Sequence, residues 1–155
     1  MDLQLPEQEM SLRQMVEWGA DQFDAAGLYF GHGTDNALDE SAWLVAHVLE
    51  ISPDYEGVDI DRLLSEAEKA RILTLFERRI SERKPAAYLI NEAWFAGMSF
   101  YVDERVLVPR SPIAEMIANG FQPWRGTHKV EHILEIGTGS GCIAIACALA
   151  FPEAR

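Results

Sequence analysis

Basic residues are scarce: 13 Lys and Arg stand against 25 Asp and Glu, a formal net charge of −12 over 155 residues. A protein that binds nucleic acid works largely by neutralising phosphates, so this balance argues against direct nucleic-acid contact. Cysteine is also sparse. Cys142 and Cys147 share one apolar segment without forming a Cys-X-X-Cys, which predicts two buried, reduced thiols rather than a disulfide or a metal site. Long apolar runs are absent, and the most apolar stretch, Cys142 to Phe151, is about half a membrane span. The N-terminus, MDLQLPEQEM, has no basic segment followed by an apolar one, so it does not read as a secretory signal. These absences predict a soluble, cytoplasmic protein with no membrane or metal partner. The 48% hydrophobic content is enough for a sizeable core and argues against disorder. The length allows one or two folding units.

Charge is unevenly spread. Residues 1–70 hold sixteen acids against Arg13, Arg62 and Lys69, a net of −13, whereas residues 71–155 hold nine acids against ten bases, a net of +1. Either the first half is a solvated helical surface or it is a docking face for a basic partner, since complementary potential steers association.

Ser11 with Gln14 forms a capping-box pattern, and Leu12, Met15, Gly19 and Phe23 fall on one stripe before Gly27, which predicts an amphipathic helix of about four turns. A link through Tyr29-Phe30-Gly31-His32-Gly33 leads to the cap-type residues Thr34, Asp35 and Asn36. They open a helix to about Glu50 with Leu38, Ala42, Val45 and Leu49 expected inward. His32 has no ligand-type neighbours at metal-binding spacing and reads as a loop residue. After a turn at Ser52-Pro53, Ser65 and Glu68 make a second capping box, opening a helix to about Arg83 with Ile72, Phe76 and Ile80 apolar. Arg78, Arg79, Arg83 and Lys84 suit the negative end of that helix's dipole, and Pro85 ends it. No internal repeat or low-complexity tract is present.

The period then becomes extended. Trp94-Phe95, Met98 to Val102 and Val106 to Val108 are β-branched and aromatic, separated by Gly97 and by Asp103-Glu104-Arg105, which predicts a hairpin linker. Ser111-Pro112 open a helix that Asn119-Gly120 close. Val130 to Ile136 reads as a buried strand, Gly137-Thr138-Gly139-Ser140-Gly141 as a tight turn, and Cys142 to Leu149 as a helix packed on a sheet. Strand, glycine loop and helix are the opening unit of a nucleotide-type α/β fold. Glycines admit a ligand close to the backbone, and the helix start offers free N–H donors to a carboxylate or phosphate. The dinucleotide fingerprint wants its third glycine at position 142, where Cys142 stands. An acid two residues before the first glycine, Glu135, is instead the arrangement of S-adenosylmethionine-dependent methyltransferases. A NAD or flavin site, or a loop that only packs helix on strand, stays open on these residues alone. Trp18, Trp43 and Trp124 are assigned to packing, and Phe100 and Tyr101 to the hairpin core in preference to cofactor contact.

The order of a helical domain, a hairpin, Val108-Pro109-Arg110, a helix and Leu134-Glu135-Ile136-Gly137-Thr138-Gly139-Ser140-Gly141 resembles the HemK-type protein-glutamine methyltransferases. Val108-Pro109-Arg110-Ser111-Pro112-Ile113-Ala114-Glu115, Asp35-Asn36, Pro85-Ala86-Ala87-Tyr88-Leu89 and Glu92-Ala93-Trp94-Phe95 are similar to the branch that modifies the third protein of the large ribosomal subunit. The release-factor branch carries Pro-Glu-Thr-Glu after the arginine, where this chain has Ser-Pro-Ile-Ala.

The resemblance implies methyl transfer from S-adenosyl-L-methionine to the side-chain amide nitrogen of a glutamine. It implies cofactor binding by Glu135, Gly137, Thr138, Gly139, Ser140 and Gly141. Phe100 and Arg110 are site-lining candidates, Arg110 either closing over the active site or only pairing with a nearby acid such as Glu115. It also implies a basic ribosomal-protein substrate met by the acidic helical domain. The family's Asn-Pro-Pro-Tyr motif is absent, because the asparagines are Asn36, Asn91 and Asn119 and none precedes Pro-Pro. No catalytic residue is therefore expected within these 155 residues, and the chain is expected to be the N-terminal part of a longer enzyme, inactive by itself. The expected fold is α+β: a helical bundle over 1–84, a β-hairpin linker over 85–110, and over 111–155 the first strand, glycine loop and helix of a Rossmann-like methyltransferase domain. The alternatives are a methyltransferase of the same family acting on peptide-chain release factors, and a noncatalytic interaction module.

Overall fold

A computed structural model describes residues 3, 5, 9–52 and 55–155. The chain divides into two compact units, Met1–Ile90 and Asn91–Arg155. The turn expected at Ser52-Pro53 extends into Pro53, which lies outside the described residues, as does most of the N-terminal decapeptide.

Three helices build the first unit: α1 (Leu12–Ala25), α2 (Ala37–Val48) and α3 (Glu66–Glu82), followed by the short α4 (Ala86–Ile90). Both capping boxes form, Ser11 with Gln14 and Ser65 with Glu68, and the Asn36 side chain caps α2 through the Asp39 N–H. Each supplies an acceptor for an N–H that would otherwise be orphaned at the helix start. The first-turn donors of α1 are also used, because Leu12 and Arg13 donate to the carbonyls of Arg62 and Ile60. That holds the segment before α3 along the start of α1.

Met15, Phe23, Leu44, Ile72 and Phe76 are fully buried at the centre of this unit. Phe23 meets Phe76 edge to face at 5.0 Å, a geometry aromatic pairs favour. Trp18 and Trp43 pack against this core, as expected. Gly19 permits the closest approach: a Cβ there would lie 2.3 Å from the Phe76 ring and 2.4 Å from Ser41 Oγ.

The inward face of α2 differs from the expected stripe. Ala37, Glu40, Ser41, Leu44, Val45 and Val48 are buried, whereas Leu38 is exposed and Ala42 and Leu49 are half-buried. The sequence of α2 is apolar around most of its circumference, so spacing alone leaves its orientation open. A buried ion pair orients it. Arg79 Nε donates to Glu40 Oε1 at 2.6 Å, with both side chains almost wholly enclosed. Arg79 also reaches the Tyr29 carbonyl, and Thr34 donates to the other Glu40 oxygen. The basic end of α3 thus serves the core and a neighbouring helix as well as its own dipole. Arg83 donates to the Ala26 and Gly27 carbonyls that end α1.

In the second unit, β1 (Ala93–Phe95) and β2 (Met98–Phe100) pair antiparallel, Ala93 opposite Phe100 and Phe95 opposite Met98. Ala96 and Gly97 join them, both at positive φ, the conformation of a tight two-residue hairpin turn. Val106 to Val108 forms no strand, and Val106 closes a turn onto the Asp103 carbonyl. Then follow α5 (Ile113–Ala118) and α6 (Cys142–Ala150). Phe95, Ile117, Cys142, Ala146 and Cys147 form the core of this unit. Tyr101 and Trp124 are exposed, so neither belongs to the packing assigned to them from sequence.

The buried strand expected over Val130 to Ile136 is not formed. This segment carries no ladder, and Leu134 and Ile136 are almost fully exposed. A strand is stabilised by neighbours on either edge, and here one residue provides the pairing. Arg155 N–H donates to the Glu131 carbonyl and its own carbonyl accepts from Ile133, each at 2.9 Å, the exchange typical of parallel chains. A Lys129–Glu153 ion pair ties the same two segments together.

Candidate functional site

The candidate site lies in the second unit, on the turn that enters α6. Gly137, Gly139 and Gly141 take left-handed φ values of 79°, 57° and 80°, a backbone that only glycine adopts without strain. Crowding is not what requires them. An added Cβ would meet nothing within 4 Å at Gly137, and no atom closer than 3.9 Å at Gly139 or Gly141. The loop therefore presents bare, open backbone.

Gly141 N–H closes the turn onto the Thr138 carbonyl at 2.8 Å, and the first bond of α6 runs from Ile145 N–H to the Gly141 carbonyl. Gly141 occupies the N-cap position and no side chain caps the helix. The opening turn of α6 thus keeps its N–H groups and positive dipole end for an external acceptor. Thr138 is exposed and Ser140 half-buried on the same loop.

Glu135, two residues before Gly137, is half-buried, and its Oε2 is enclosed without a hydrogen-bond partner. A buried acceptor left unsatisfied is costly and invites a donor. The carboxylate sits close enough to α6 to act on Cys147, whose thiol is pushed up in pKa first by burial and then by the Glu135 charge. Both cysteines are free and buried. Sequence reasoning singled out Glu135 for its position before the loop but did not foresee its neighbour Cys147. That neighbour follows from the helical spacing of α6, which turns Cys147 inward beside Ala146.

The hairpin candidates are placed differently from one another. Phe100 is half-buried against the core cluster that includes Cys142, the first residue of α6. Arg110 is exposed on the segment between β2 and α5. An open glycine turn, an uncapped helix start and an unsatisfied carboxylate oxygen fit a zwitterionic ligand that carries both a carboxylate and a donor. Among the described residues no group of three or more His, Cys, Asp or Glu is placed to hold a metal, and no helix is long and apolar enough to cross a membrane.

In the first unit, residues 14–90 match the model of the PrmC N-terminal domain. These residues belong to that family. Over a longer span the chain is 54% identical across 132 residues to the ribosomal protein uL3 glutamine methyltransferase of Xanthomonas campestris, covering 85% of the chain and 43% of that relative. It is 47% identical across 146 residues to the protein of the same name in Bordetella pertussis, covering 94% of the chain and 49% of the relative. The Neisseria meningitidis protein of that name is 45% identical across 146 residues, with 94% and 48% covered. The chain spans less than half the length of these relatives. An alignment over 94% of the chain includes Val108-Pro109-Arg110 and the glycine loop wherever it begins. The similarity therefore extends from the PrmC N-terminal domain into the second unit.

The first unit as a whole is strongly acidic. Over 1–90 there are eighteen acids against eight bases, a net of −10. Each of the eight bases is engaged. Arg13, Arg62, Lys69, Arg78, Arg79 and Lys84 are on carboxylates, and Arg71 and Arg83 are on backbone carbonyls. With its cations tied down, the first unit presents a predominantly negative field to solvent.

Proposed function

We propose that this chain is the substrate-docking and cofactor-loop part of an S-adenosyl-L-methionine-dependent methyltransferase that modifies the side-chain amide nitrogen of a glutamine in ribosomal protein uL3. The observation that carries the reading is the run from Glu135 through three left-handed glycines into the uncapped start of α6. The uL3 methyltransferase names of relatives at 45–54% identity support the substrate class. When bound, the cofactor supplies an electrophilic methyl group.

Within the chain, the open loop backbone of Gly137, Thr138 and Gly139 lets the cofactor's amino-acid end approach, and the first N–H groups of α6 receive its carboxylate. Glu135 Oε2 accepts from its ammonium group. The beginning of a parallel pairing at Arg155 supports a strand–helix–strand crossover, in which such a loop lies at the carboxyl end of the first strand. No residue here is assigned to the amide nitrogen. The chain alone is proposed to be inactive, and the amide is oriented by residues outside it. Ribosomal proteins are basic, and the first unit, residues 1–90 with a net charge of −10, is the face that captures one.

The test is mass spectrometry of uL3 after incubation with S-adenosyl-L-methionine and either this chain or a full-length version. One added methyl on a single glutamine side chain, with the long form only, is the expected result. Unmodified uL3 with both, or cofactor binding by the long form that Gly139→Val leaves unchanged, overturns the assignment.

A further inference from the structure

Three of the large hydrophobic residues exposed on the first unit, Leu38, Tyr55 and Ile60, line one groove between α1 and α2 together with Val16, Ala42 and Ile51. Its volume is about 330 Å³, at the low end of the ~300–1,000 Å³ typical of ligand pockets, which is room for one or two side chains. Its floor is core: Leu12, Val45 and Ala46 are buried beneath it. Glu17 on α1 and Asp39 on α2 stand on its lining. The single base there, Arg13, is held on Asp61 Oδ1 at 3.0 Å. Burial, with the Asp39 charge added, raises the Tyr55 phenol's pKa.

We propose that this groove docks a basic segment of the protein substrate, one aliphatic or aromatic side chain of that segment entering between α1 and α2 while flanking lysines or arginines face Glu17 and Asp39. The proposal rests on the protein-substrate reading above and locates its contact. A concave apolar floor offers a place for a side chain of a partner, and the acidic setting selects the occupant. A second copy of this chain would bring two units of net charge −10 together, which like-charge repulsion opposes. A nucleic acid would meet carboxylates rather than cations. A basic peptide with one apolar anchor satisfies both the floor and the rim, as in anchor-and-groove recognition generally.

The test combines uL3 methylation kinetics of a full-length enzyme with direct titration of uL3 onto this chain, comparing wild type with Leu38→Lys, Ile60→Lys and the milder Glu17→Gln with Asp39→Asn. Glu50→Lys, on a different face, serves as the charge control, and circular dichroism confirms helix content. The groove variants are expected to raise KM and weaken direct binding by about tenfold, with kcat within about twofold, while the control changes neither. Groove variants that leave KM and affinity at wild-type values, in an enzyme that still methylates uL3, overturn the groove and leave the function standing.

If wild type does not methylate uL3, the function fails and the groove is judged separately with a Lys-rich peptide carrying one Leu, against the same peptide with Ser in its place. Binding of the Leu peptide that Leu38→Lys abolishes supports the groove, and equal binding of both peptides overturns it. Dimerisation of the chain that Leu38→Lys abolishes also overturns it, in favour of a second copy.

Discussion

In residues 1–90 the apolar faces of three helices close on one another until Met15, Leu44, Ile72 and Phe76 reach zero exposure, whereas in residues 91–155 Leu134 and Ile136 stand 86% and 89% exposed. Both regions are rich in aliphatic side chains, so composition does not explain the difference. A helix satisfies its own backbone hydrogen bonds and needs only side-chain complements, which α1, α2 and α3 supply to each other. A strand satisfies its backbone only through neighbours, and the segment before the glycine loop has one pairing residue, Arg155. The helices of the first unit thus bury much of one another's apolar surface, while in the second unit the segment before the glycine loop leaves Leu134 and Ile136 in solvent.

The largest effect that would break this contrast is expected at the buried ion pair. Arg79→Ala leaves Glu40 enclosed without its cation and should destabilise the first unit by about 3–5 kcal/mol in urea unfolding followed by tryptophan fluorescence. Replacing both partners with apolar residues should recover part of that loss, leaving the cost of the Thr34 and Tyr29 groups that lose partners.

Next come paired substitutions across the two units. Ile72→Ala should cost about 2–5 kcal/mol, whereas Ile136→Lys should change stability by less than about 0.5 kcal/mol. A comparable loss at Ile136 would mean that the segment is buried in solution.

Gly19→Ala should cost about 1–3 kcal/mol by forcing Phe76 and Ser41 away from α1. Unchanged stability there would show that the helices separate freely.

The smallest effect concerns pH. Glu68 is held at a pKa of about 2, first by the Arg62 hydrogen bond and then by the Ser65 cap. Its folded pKa lies below the unfolded value, so its stabilisation is complete above about pH 4.5 and is lost as pH falls toward about 2. Glu68→Gln keeps a capping-box residue and should flatten that part of the stability profile, by less than about 1 kcal/mol for a pair this near the surface. Asp103 in the second unit is also held at about 2, by Arg105 two residues away. Residues two apart stay close in the unfolded chain as well, so Asp103→Asn should change the profile less than Glu68→Gln does.

Much of the first unit was legible because its signals are local. Ser11, Asn36 and Ser65 cap the helices they were expected to cap, since a cap acts within one turn. The face of α2 was not legible, because Leu38 and Leu44 are equally apolar and only the partner across the core distinguishes them. The groove is illegible for the same reason, since spacing places Leu38 inward and Tyr55 and Ile60 lie in irregular chain. The glycine loop was legible as a turn, because positive φ restricts residue type. The influence of the Glu135 charge on Cys147 was not, because it depends on the tertiary placement of α6.

Sequence by itself determined the helix starts and stops, the hairpin turn, the acidic bias of the first half, and a glycine turn leading into an apolar helix, all of which arise between residues a few positions apart. Tertiary structure decided what those elements face. It turned Glu40 and Arg79 into a buried pair, moved Leu38 from core to groove, tied every base of the first unit to an acceptor, and left Ile136 in solvent. Burial and pairing are set by neighbours distant in sequence, and a strand in particular has no stability apart from the strands beside it.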